Sequence, residues 1–359
     1  MFVPTPKKLM LALTMLLSST SLAAAAAEFI PDVAALRQVV QPKGQAAMTG
    51  VALLAKGDQL LWSYGYHPEQ ALTGQHQLVV ASVSKQITAA LVLQAAAQGR
   101  LSLDAPVAGI LTKEASRLGA ITTRQLLNHT SGLGGAAGAV PGQQFVYGNQ
   151  GYQLLAMLLE NIYAEPYAAQ AARLFQRCQM SASFAPTAIQ PVSSAARLMQ
   201  GLSLVDGQWQ AVNLDSYELS NVPAGGIVSN AADLIRWQQC LYKSDLLAKY
   251  QRMQLVARGP KRDNHRWGEV FYGLGVQIVK QDGLLEWSHG GYLPGYMLTL
   301  LYYPKFDLTL VVWQPQSGDG KNPAQDLALQ DQLRAVLRAQ LVAAKKAPQT
   351  AAGQMAATK

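Results

Sequence analysis

Ser82 and Lys85 lie three positions apart, at the point where an apolar run begins. Residues i and i+3 of a helix project from the same side, so this spacing predicts that the Lys85 nitrogen faces the Ser82 oxygen. A serine hydroxyl becomes a strong nucleophile when a base takes its proton, and burial lowers the pKa of a lysine enough to make it that base. The pair predicts a nucleophile beside a base, although the same tetrapeptide also occurs in capped surface turns.

Tyr147 and Asn149 lie two positions apart on a predicted loop that begins with the turn signal Pro141-Gly142. A phenol can carry a proton from Ser82 to a leaving group, and a carboxamide can form hydrogen bonds with both Lys85 and a substrate amide. The tripeptide Tyr-Gly-Asn taken alone is equally typical of a simple turn.

A third motif, His289-Gly290-Gly291, joins two predicted strands. Glycines allow a substrate backbone to approach a strand closely, and an exposed backbone N–H beside them can complete an oxyanion pocket with the N–H of Ser82. His289 is a candidate site residue, and the alternative is a packed histidine at a strand end.

The elements that must position these residues change along the chain. Strand-like segments occur at both ends, and residues 82–250 show mostly helical spacing. This order predicts a sheet assembled from the N- and C-terminal parts, with a mostly helical lobe inserted between them. The expected elements are a helix at 33–40, a hairpin at 49–54 and 59–66, strands at 272–279, 296–303 and 308–313, and a last helix at 323–344.

The first 27 residues have the order of a secretory signal: Lys7 and Lys8, then an apolar stretch, then small residues up to Ala27. We expect cleavage close to Ala27 and a periplasmic or extracellular protein, with a retained anchor as the alternative. The apolar stretch is short for a membrane span.

The 359 residues carry a formal charge of +8 without a clustered basic stripe, which argues against nucleic-acid binding and leaves attraction to anionic envelope polymers open. Cys178 and Cys240 are the only cysteines, and an exported protein can hold them as a disulfide or as buried thiols. The five histidines are scattered, so we expect no metal and no cofactor. We expect a monomer.

The three motifs follow the order and spacing found in the serine β-lactamase and penicillin-binding-protein superfamily. The chain resembles its class C branch, which includes class C β-lactamases, DD-peptidases, D-aminopeptidases and family VIII esterases. The resemblance runs from about Thr49 to the last helix and implies the β-lactamase/transpeptidase-like α/β (α+β) fold, with an antiparallel sheet flanked by helices. Three linking segments agree with it: residues 101–107, 126–133 and 223–229.

The resemblance also implies roles for single residues. Ser82 would form the acyl-enzyme, Lys85 and Tyr147 would share the proton transfers, and Asn149 would contact Lys85 and substrate. His289, Gly290 and Gly291 would line the strand beside the scissile bond. The backbone N–H groups of Ser82 and Tyr292 would be the oxyanion donors. His129 lies in a family linker and is expected to support packing.

The third motif departs from the Lys-Thr-Gly of class C β-lactamases, because His289 and Gly290 replace the cation and the hydroxyl that hold a substrate carboxylate. A neutral imidazole holds an anion weakly, which argues against efficient antibiotic hydrolysis. Lys280 is a speculative carboxylate partner, and an ordinary solvated lysine is the alternative.

We therefore expect an exported serine hydrolase that acts on D-amino-acid peptides of the D-Ala-D-Ala type or on small esters. The alternatives are a class C-type β-lactamase and a catalytically silent receptor or envelope scaffold. The expected division is a signal peptide (1–27), a hydrolase domain (28–344) and a disordered tail (345–359). The sheet lobe of the domain would comprise about 28–80 and 265–344, and its helical lobe about 81–264.

Overall fold

The computed structural model describes residues 29–346, apart from residues 42, 45, 136–138 and 215–216. The predicted signal peptide lies outside the described residues, and so does the predicted tail from residue 347 onward. Lys345 and Lys346, the first two residues of that predicted tail, lie in the last helix.

The strands of the described chain are β1 (Gly50–Lys56), β2 (Gln59–Tyr66), β3 (Gln77–Val79), β4 (Leu202–Val205), β5 (Gln208–Ala211), β6 (Val228–Asn230), β7 (Lys261–Arg262), β8 (Val270–Tyr272), β9 (Gln277–Gln281), β10 (Leu284–Leu293), β11 (Tyr296–Tyr303), β12 (Leu308–Gln314) and β13 (Gln316–Ser317). The helices are α1 (Val33–Val40), α2 (Ser84–Ala97), α3 (Ala115–Leu118), α4 (Thr123–Leu127), α5 (Gln150–Tyr163), α6 (Tyr167–Arg177), α7 (Ala231–Lys243), α8 (Lys249–Leu255), α9 (Pro323–Asp326) and α10 (Ala328–Lys346).

Within the described residues, eight strands form one antiparallel sheet in the order β2-β1-β12-β11-β10-β9-β8-β7. The N- and C-terminal parts of the chain meet where β1 pairs with β12, for example at Leu54 opposite Leu310. Helices cover both faces of the sheet. Helix α1 comes from the N-terminal part of the chain, α9 and α10 come from the C-terminal part, and the other helices come from the segment between them. The predicted α/β fold with an antiparallel sheet is confirmed.

Two hydrophobic cores lie on opposite faces of the sheet. One core joins the sheet to α2, α5 and α7, and the other joins it to α1 and α10. Since both faces are covered, β11 and β12 are buried at every position and consist mostly of apolar residues, without alternation of apolar and polar positions. Helix α2 is likewise buried on nearly all sides.

Three elements differ from the sequence-based expectation. The third motif lies within β10, because pairing with β11 from Trp287 to Leu293 supplies the ladder despite two adjacent glycines of low strand propensity. The segment expected to be mostly helical also contains β6 and the β4–β5 hairpin. The last helical segment is interrupted at Leu327 and continues to Lys346.

Cys178 and Cys240 form a disulfide between the end of α6 and α7, with their Cα atoms 5.5 Å apart. The structure thereby decides between the two states that the sequence left open. None of the described helices combines the length and the apolar composition required to cross a membrane.

A buried ionic cluster holds α10 against the back of β10. The carboxylate of Glu286 is fully buried and accepts hydrogen bonds from Arg334 Nε (3.0 and 3.1 Å), Arg338 Nη1 (3.2 Å) and the Tyr303 hydroxyl (2.8 Å). One carboxylate therefore compensates two buried guanidinium groups. The cluster fixes the strand that carries the third motif.

Glu286→Ala is expected to lower the free energy of unfolding by about 3–5 kcal/mol, because it leaves the buried Arg334 without its counter-ion and Arg338 with only the exposed Asp282 carboxylate. Urea denaturation measures the change. The matched control is Glu114→Ala, which removes the partner of Arg117 in an exposed pair and should cost less than about 1 kcal/mol. Equal losses for the two variants would contradict the role given to the cluster.

Candidate active site

Ser82 lies on a tight 3-10 turn between β3 and α2. Every residue from Gln77 to Leu93 is buried except Ser82, which is partly accessible. Ala81 precedes it with a φ of +47°, a conformation that costs a non-glycine residue free energy and that the surrounding structure must impose. The fold thus exposes one hydroxyl from an otherwise buried segment.

Lys85 is fully buried on the first turn of α2. Its Nζ lies 3.2 Å from Ser82 Oγ, 2.9 Å from Asn149 Oδ1 and 2.7 Å from the backbone oxygen of Ala224. The oxygens of Asn149 and Ala224 can only accept hydrogen bonds, so they take the two hydrogens of a neutral amine. The remaining lone pair of the amine then faces the hydroxyl of Ser82.

The protonation state of Lys85 agrees with this geometry. Burial, and to a smaller extent the positive charge of Arg262, lowers the pKa of Lys85 from 10.5 to about 7. No carboxylate among the described residues forms an ion pair with Lys85 to oppose this shift. A substantial fraction of the amine is therefore unprotonated at neutral pH, as a general base requires.

Tyr147 lies beside the same two residues. The Lys85 Nζ is 5.0 Å from the centroid of its ring, and the phenol interacts with the Ser82 side chain. Burial raises the pKa of Tyr147, and the interactions with Ser82 and Arg262 only partly oppose that effect. The phenol is protonated at neutral pH and can donate that proton to a leaving group.

His129 holds the loop that carries Tyr147. Its backbone oxygen accepts from Val146 N (2.8 Å), its Nδ1 accepts from Gly148 N (3.4 Å), and its ring lies 4.4 Å from the Tyr147 ring, centroid to centroid. The packing role expected for this histidine from the sequence therefore extends to the position of the phenol.

Strand β10 approaches the nucleophile through Gly291. A Cβ at Gly291 would lie 2.6 Å from the backbone oxygen of Val80 and 3.0 Å from Ala81 Cβ, so only glycine allows the Ser82 turn to come this close. The pairing of β10 with β9 ends at Ser288, so the residues of β10 after Ser288 have no partner on β9. The backbone of Gly290 and Tyr292 lies next along this edge, and the use of the Ser82 and Tyr292 N–H groups as oxyanion donors stays a prediction.

His289 is buried, with 1% of its surface exposed. Its Nδ1 lies 2.8 Å from the Gly290 oxygen and must donate, so its Nε2 accepts from the Tyr272 hydroxyl at 2.7 Å. Burial, followed by the charge on Lys85, lowers the pKa of His289 to about 3 and keeps it neutral. With both nitrogens occupied, the imidazole supports β10 and offers no hydrogen bond to a ligand in this arrangement.

The structure brings together Ser82, Lys85, Tyr147 and Asn149 from two separate segments, and a third segment places Gly291 against the nucleophile turn. It does not bring Lys280 to them. This exposed residue lies on β9 opposite Leu285, three positions before Ser288, where the pairing of β10 with β9 ends.

Sequence reasoning missed three contributors: Ala224, Tyr272 and Arg262. Ala224 acts through its backbone, Tyr272 reaches His289 through the packing of the sheet, and the guanidinium carbon of Arg262 lies 5.1 Å from the centroid of the Tyr147 ring. Arg262 occupies a two-residue strand without any periodic signal. Its position depends on strand pairing, so no local pattern could have identified it.

Comparison with known proteins agrees with this fold. The family model described as Beta-lactamase matches residues 36–335, and the chain therefore belongs to the β-lactamase family. This confirms the resemblance drawn from the motifs. A Dichelobacter nodosus protein named for fimbrial assembly, FimD of serogroup D, is 23% identical over 265 residues, which cover 65% of each chain. The chain thus spans 65% of the length of this curated relative.

Two solved structures share the fold. The D-amino acid amidase from Ochrobactrum anthropi, complexed with D-phenylalanine, has a TM-score of 0.71 at 18% identity, over 86% of this chain and 98% of the amidase. A penicillin-binding protein from Bacillus halodurans has a TM-score of 0.69 at 23% identity, over 85% of this chain and 98% of that chain.

The acylation rate should rise with pH through about 7, because the Lys85 amine must lose its proton to act as a base. Below that pH, kcat/KM for an uncharged activated ester should fall about tenfold per pH unit, and above it the value should level off. Lys85→Met should abolish this dependence together with most of the activity, whereas Lys280→Met should leave both unchanged. A flat profile between pH 5 and 9 would contradict the role of Lys85.

Gly291→Ala should reduce kcat/KM by about 100-fold or more, since the added carbon would displace the nucleophile turn by a fraction of an ångström to an ångström. Steady-state kinetics with the same ester measures the loss. Gly290→Ala provides the steric comparison, because its added carbon would meet nothing closer than the Leu298 oxygen at 3.8 Å. Gly290→Ala should keep the wild-type melting temperature. If Gly291→Ala also keeps it and retains full activity, the nucleophile turn does not require glycine at position 291.

Proposed function

We propose that this protein is an exported serine hydrolase that forms an acyl-enzyme on Ser82 and acts on D-amino-acid peptides of the D-Ala-D-Ala type or on small esters. One observation carries the proposal: the buried Lys85 amine donates to two acceptor-only oxygens and directs its lone pair at the accessible Ser82 hydroxyl.

The reaction begins when Lys85 takes the Ser82 proton and the Ser82 oxygen attacks the carbonyl carbon of the substrate. The developing oxyanion is held by backbone N–H groups at the contact between the Ser82 turn and β10. As the bond to the leaving nitrogen or oxygen breaks, Tyr147 donates its proton to that atom, and the proton on Lys85 restores the phenol. Water then attacks the acyl-enzyme, gives a proton to the same pair of side chains, and releases the acid and free Ser82.

Asn149 contributes through both ends of its carboxamide. Its oxygen accepts from Lys85 at 2.9 Å, which fixes the amine and orients the amide. Asn149 is exposed at the start of α5, and its NH₂ group has no hydrogen-bond acceptor among the described residues, so it can bind the carbonyl of a substrate.

The choice of D-amino-acid substrates draws on two relatives of the same fold, whose titles name a D-amino acid amidase and a penicillin-binding protein. The β-lactamase alternative is less favoured, because His289 is neutral and both its nitrogens are engaged, while Gly290 has no hydroxyl. A receptor without activity is also less favoured, since a buried lysine that faces a serine without a counter-ion is costly for a protein that performs no chemistry.

Export is part of the proposal. The disulfide between Cys178 and Cys240 supports it, because disulfides persist in oxidising compartments such as the periplasm. The order of charged, apolar and small residues before Glu28 supports it as well.

Intact mass after incubation with a fluorescent penicillin or an activated ester tests the function. The wild-type chain should gain the mass of one acyl group, and Ser82→Ala should gain none. Ser84→Ala, which changes a buried serine two positions away, should still be labelled. Absence of any adduct with all acylating probes would refute the enzyme and favour the receptor. Turnover of an ester without turnover of a D-Ala-D-Ala peptide would identify an esterase.

A further inference from the structure

Two buried hydroxyl groups lie behind the general base. Thr88 follows Lys85 by three positions on α2, so the two side chains project from the same side of the helix. Thr88 is fully buried, and its Oγ1 lies 2.8 Å from the hydroxyl of Tyr167, the first residue of α6. Tyr167 is also buried. Both hydroxyls are therefore engaged within the protein and do not meet a substrate.

The distances determine the direction of the hydrogen bonds. Thr88 Oγ1 lies 2.7 Å from the backbone oxygen of Pro223 and 3.5 Å from that of Ser84. A carbonyl oxygen only accepts, so the single hydroxyl hydrogen of Thr88 goes to the nearer oxygen, that of Pro223. The Tyr167 hydroxyl must then donate to Thr88, and burial raises the pKa of this phenol, which keeps its proton in place.

The carbonyl that receives the hydrogen bond from Thr88 precedes the one that contacts the base. Pro223 belongs to the buried helical turn Val222–Gly226, and the next oxygen in this turn, that of Ala224, accepts from Lys85 Nζ at 2.7 Å. Successive carbonyl groups of a helical turn point in the same direction, so both can reach α2. Only the α-carbon of Ala224 separates the two planar peptide groups, and a shift of the first therefore displaces the second.

The position of the Ala224 oxygen affects how the base is oriented. Lys85 gives one hydrogen to this oxygen and another to Asn149, which leaves its lone pair facing Ser82. Two glycines follow Ala224 and allow the backbone more conformational freedom than other residues would. A hydrogen bond to the preceding carbonyl therefore restricts how far the Ala224 oxygen can move.

We propose that Thr88 is a positioning residue for the general base: its hydroxyl, oriented by Tyr167, holds the turn that places the Ala224 oxygen on Lys85. This inference rests on the proposed function and deepens it, because it names two residues that act on the base without contacting substrate.

Loss of the Thr88 hydroxyl should have two effects. The Ala224 oxygen should move away from Lys85, so the lone pair is no longer directed at Ser82 and acylation slows. A carbonyl oxygen also accepts more strongly from an ammonium than from an amine, so its displacement removes support for the charged form and lowers the pKa of Lys85 further. The rate should therefore be lower on the plateau, and its rise with pH should occur at lower pH.

Other titratable groups surround Lys85, and variants of Thr88 and Tyr167 leave all of them in place. They are Tyr147 and Tyr152, whose ring centroids lie 5.0 and 5.4 Å from Nζ, and His129, His289 and Arg262, which interact with its charge. Burial raises the pKa of the two phenols and lowers that of the two imidazoles, so these four groups are neutral near neutral pH. The rise of acylation with pH therefore reports on Lys85.

The test measures single-turnover acylation of Ser82 by the uncharged activated ester between pH 5 and 9. It gives the maximal rate, the ester concentration that reaches half of that rate, and the pH at the midpoint of the rise. Thr88→Val removes the hydroxyl and keeps the branched shape, Thr88→Ser keeps the hydroxyl, and Tyr167→Phe removes the donor to Thr88. Thermal melting followed by circular dichroism shows which variants fold.

Tyr64 provides a matched control for Tyr167. It is also a buried tyrosine, and its hydroxyl donates to a backbone oxygen, that of Met48, at 2.7 Å. It lies in the core on the opposite face of the sheet, with α1 and α10. Tyr64→Phe therefore removes a comparable hydrogen bond without disturbing the turn that carries Ala224.

Thr88→Val should lower the maximal acylation rate by about 10- to 100-fold, because a displaced base loses its alignment with Ser82. The midpoint of its pH profile should move down by about half a unit to one unit. Tyr167→Phe should show the same changes to a smaller extent, about three- to tenfold in rate. The half-saturating ester concentration should change by less than about threefold in each variant. Thr88→Ser and Tyr64→Phe should have the wild-type rate and pH profile.

A wild-type rate and pH midpoint in folded Thr88→Val would overturn the inference. An equal loss of rate at every pH, shared by Thr88→Ser, would also overturn it, because the threonine would then serve only packing. If Thr88→Val does not fold, Tyr167→Phe decides, and wild-type kinetics for that variant would count against the inference. In all these cases the wild-type chain still labels at Ser82, whereas the proposed function fails if no probe labels it.

Discussion

Burial of the Lys85 amine is the constraint on which the rest of the site depends. An ammonium group in that position has only neutral oxygens around it, so the protein interior favours the uncharged form. The same neighbours then orient the amine, since a carboxylate in place of the Asn149 amide or the Ala224 carbonyl would restore the charge and remove the base. The basic amine therefore depends on the lack of a carboxylate beside Lys85 among the described residues as much as on the neutral oxygens that Lys85 contacts.

The two parts of the molecule meet along the edge of β10, and this contact requires precise spacing. Gly291 allows the Ser82 turn to lie against the strand, and Ala81 accepts an unfavourable φ to expose the hydroxyl there. On the other face, the buried carboxylate of Glu286 holds α10 to the same strand. Strand β10 is therefore fixed from behind by ionic contacts and approached from the front by the nucleophile.

Charge is distributed unevenly around the site. His289, where related β-lactamases carry a lysine, is neutral and used internally by Tyr272 and Gly290. The positive charge lies instead at Arg262, over the Tyr147 ring. A cation there also contributes to the low pKa of Lys85, so one residue influences both the base and the region where a leaving group would lie.

Local sequence patterns were sufficient for the features that act over a few residues. The three-residue spacing of Ser82 and Lys85 and the apolar run of α2 identified the nucleophile and its base, because helix periodicity is a local property. The order of the three motifs carried the resemblance to a known superfamily, and that resemblance implied the fold and the roles of the other site residues. Tertiary structure decided the rest: the Ala224 oxygen on Lys85, 139 positions away, the burial of His289 under Tyr272, and Arg262 over Tyr147. These contacts depend on strand register and on how two lobes pack, so no single segment of the chain encodes them.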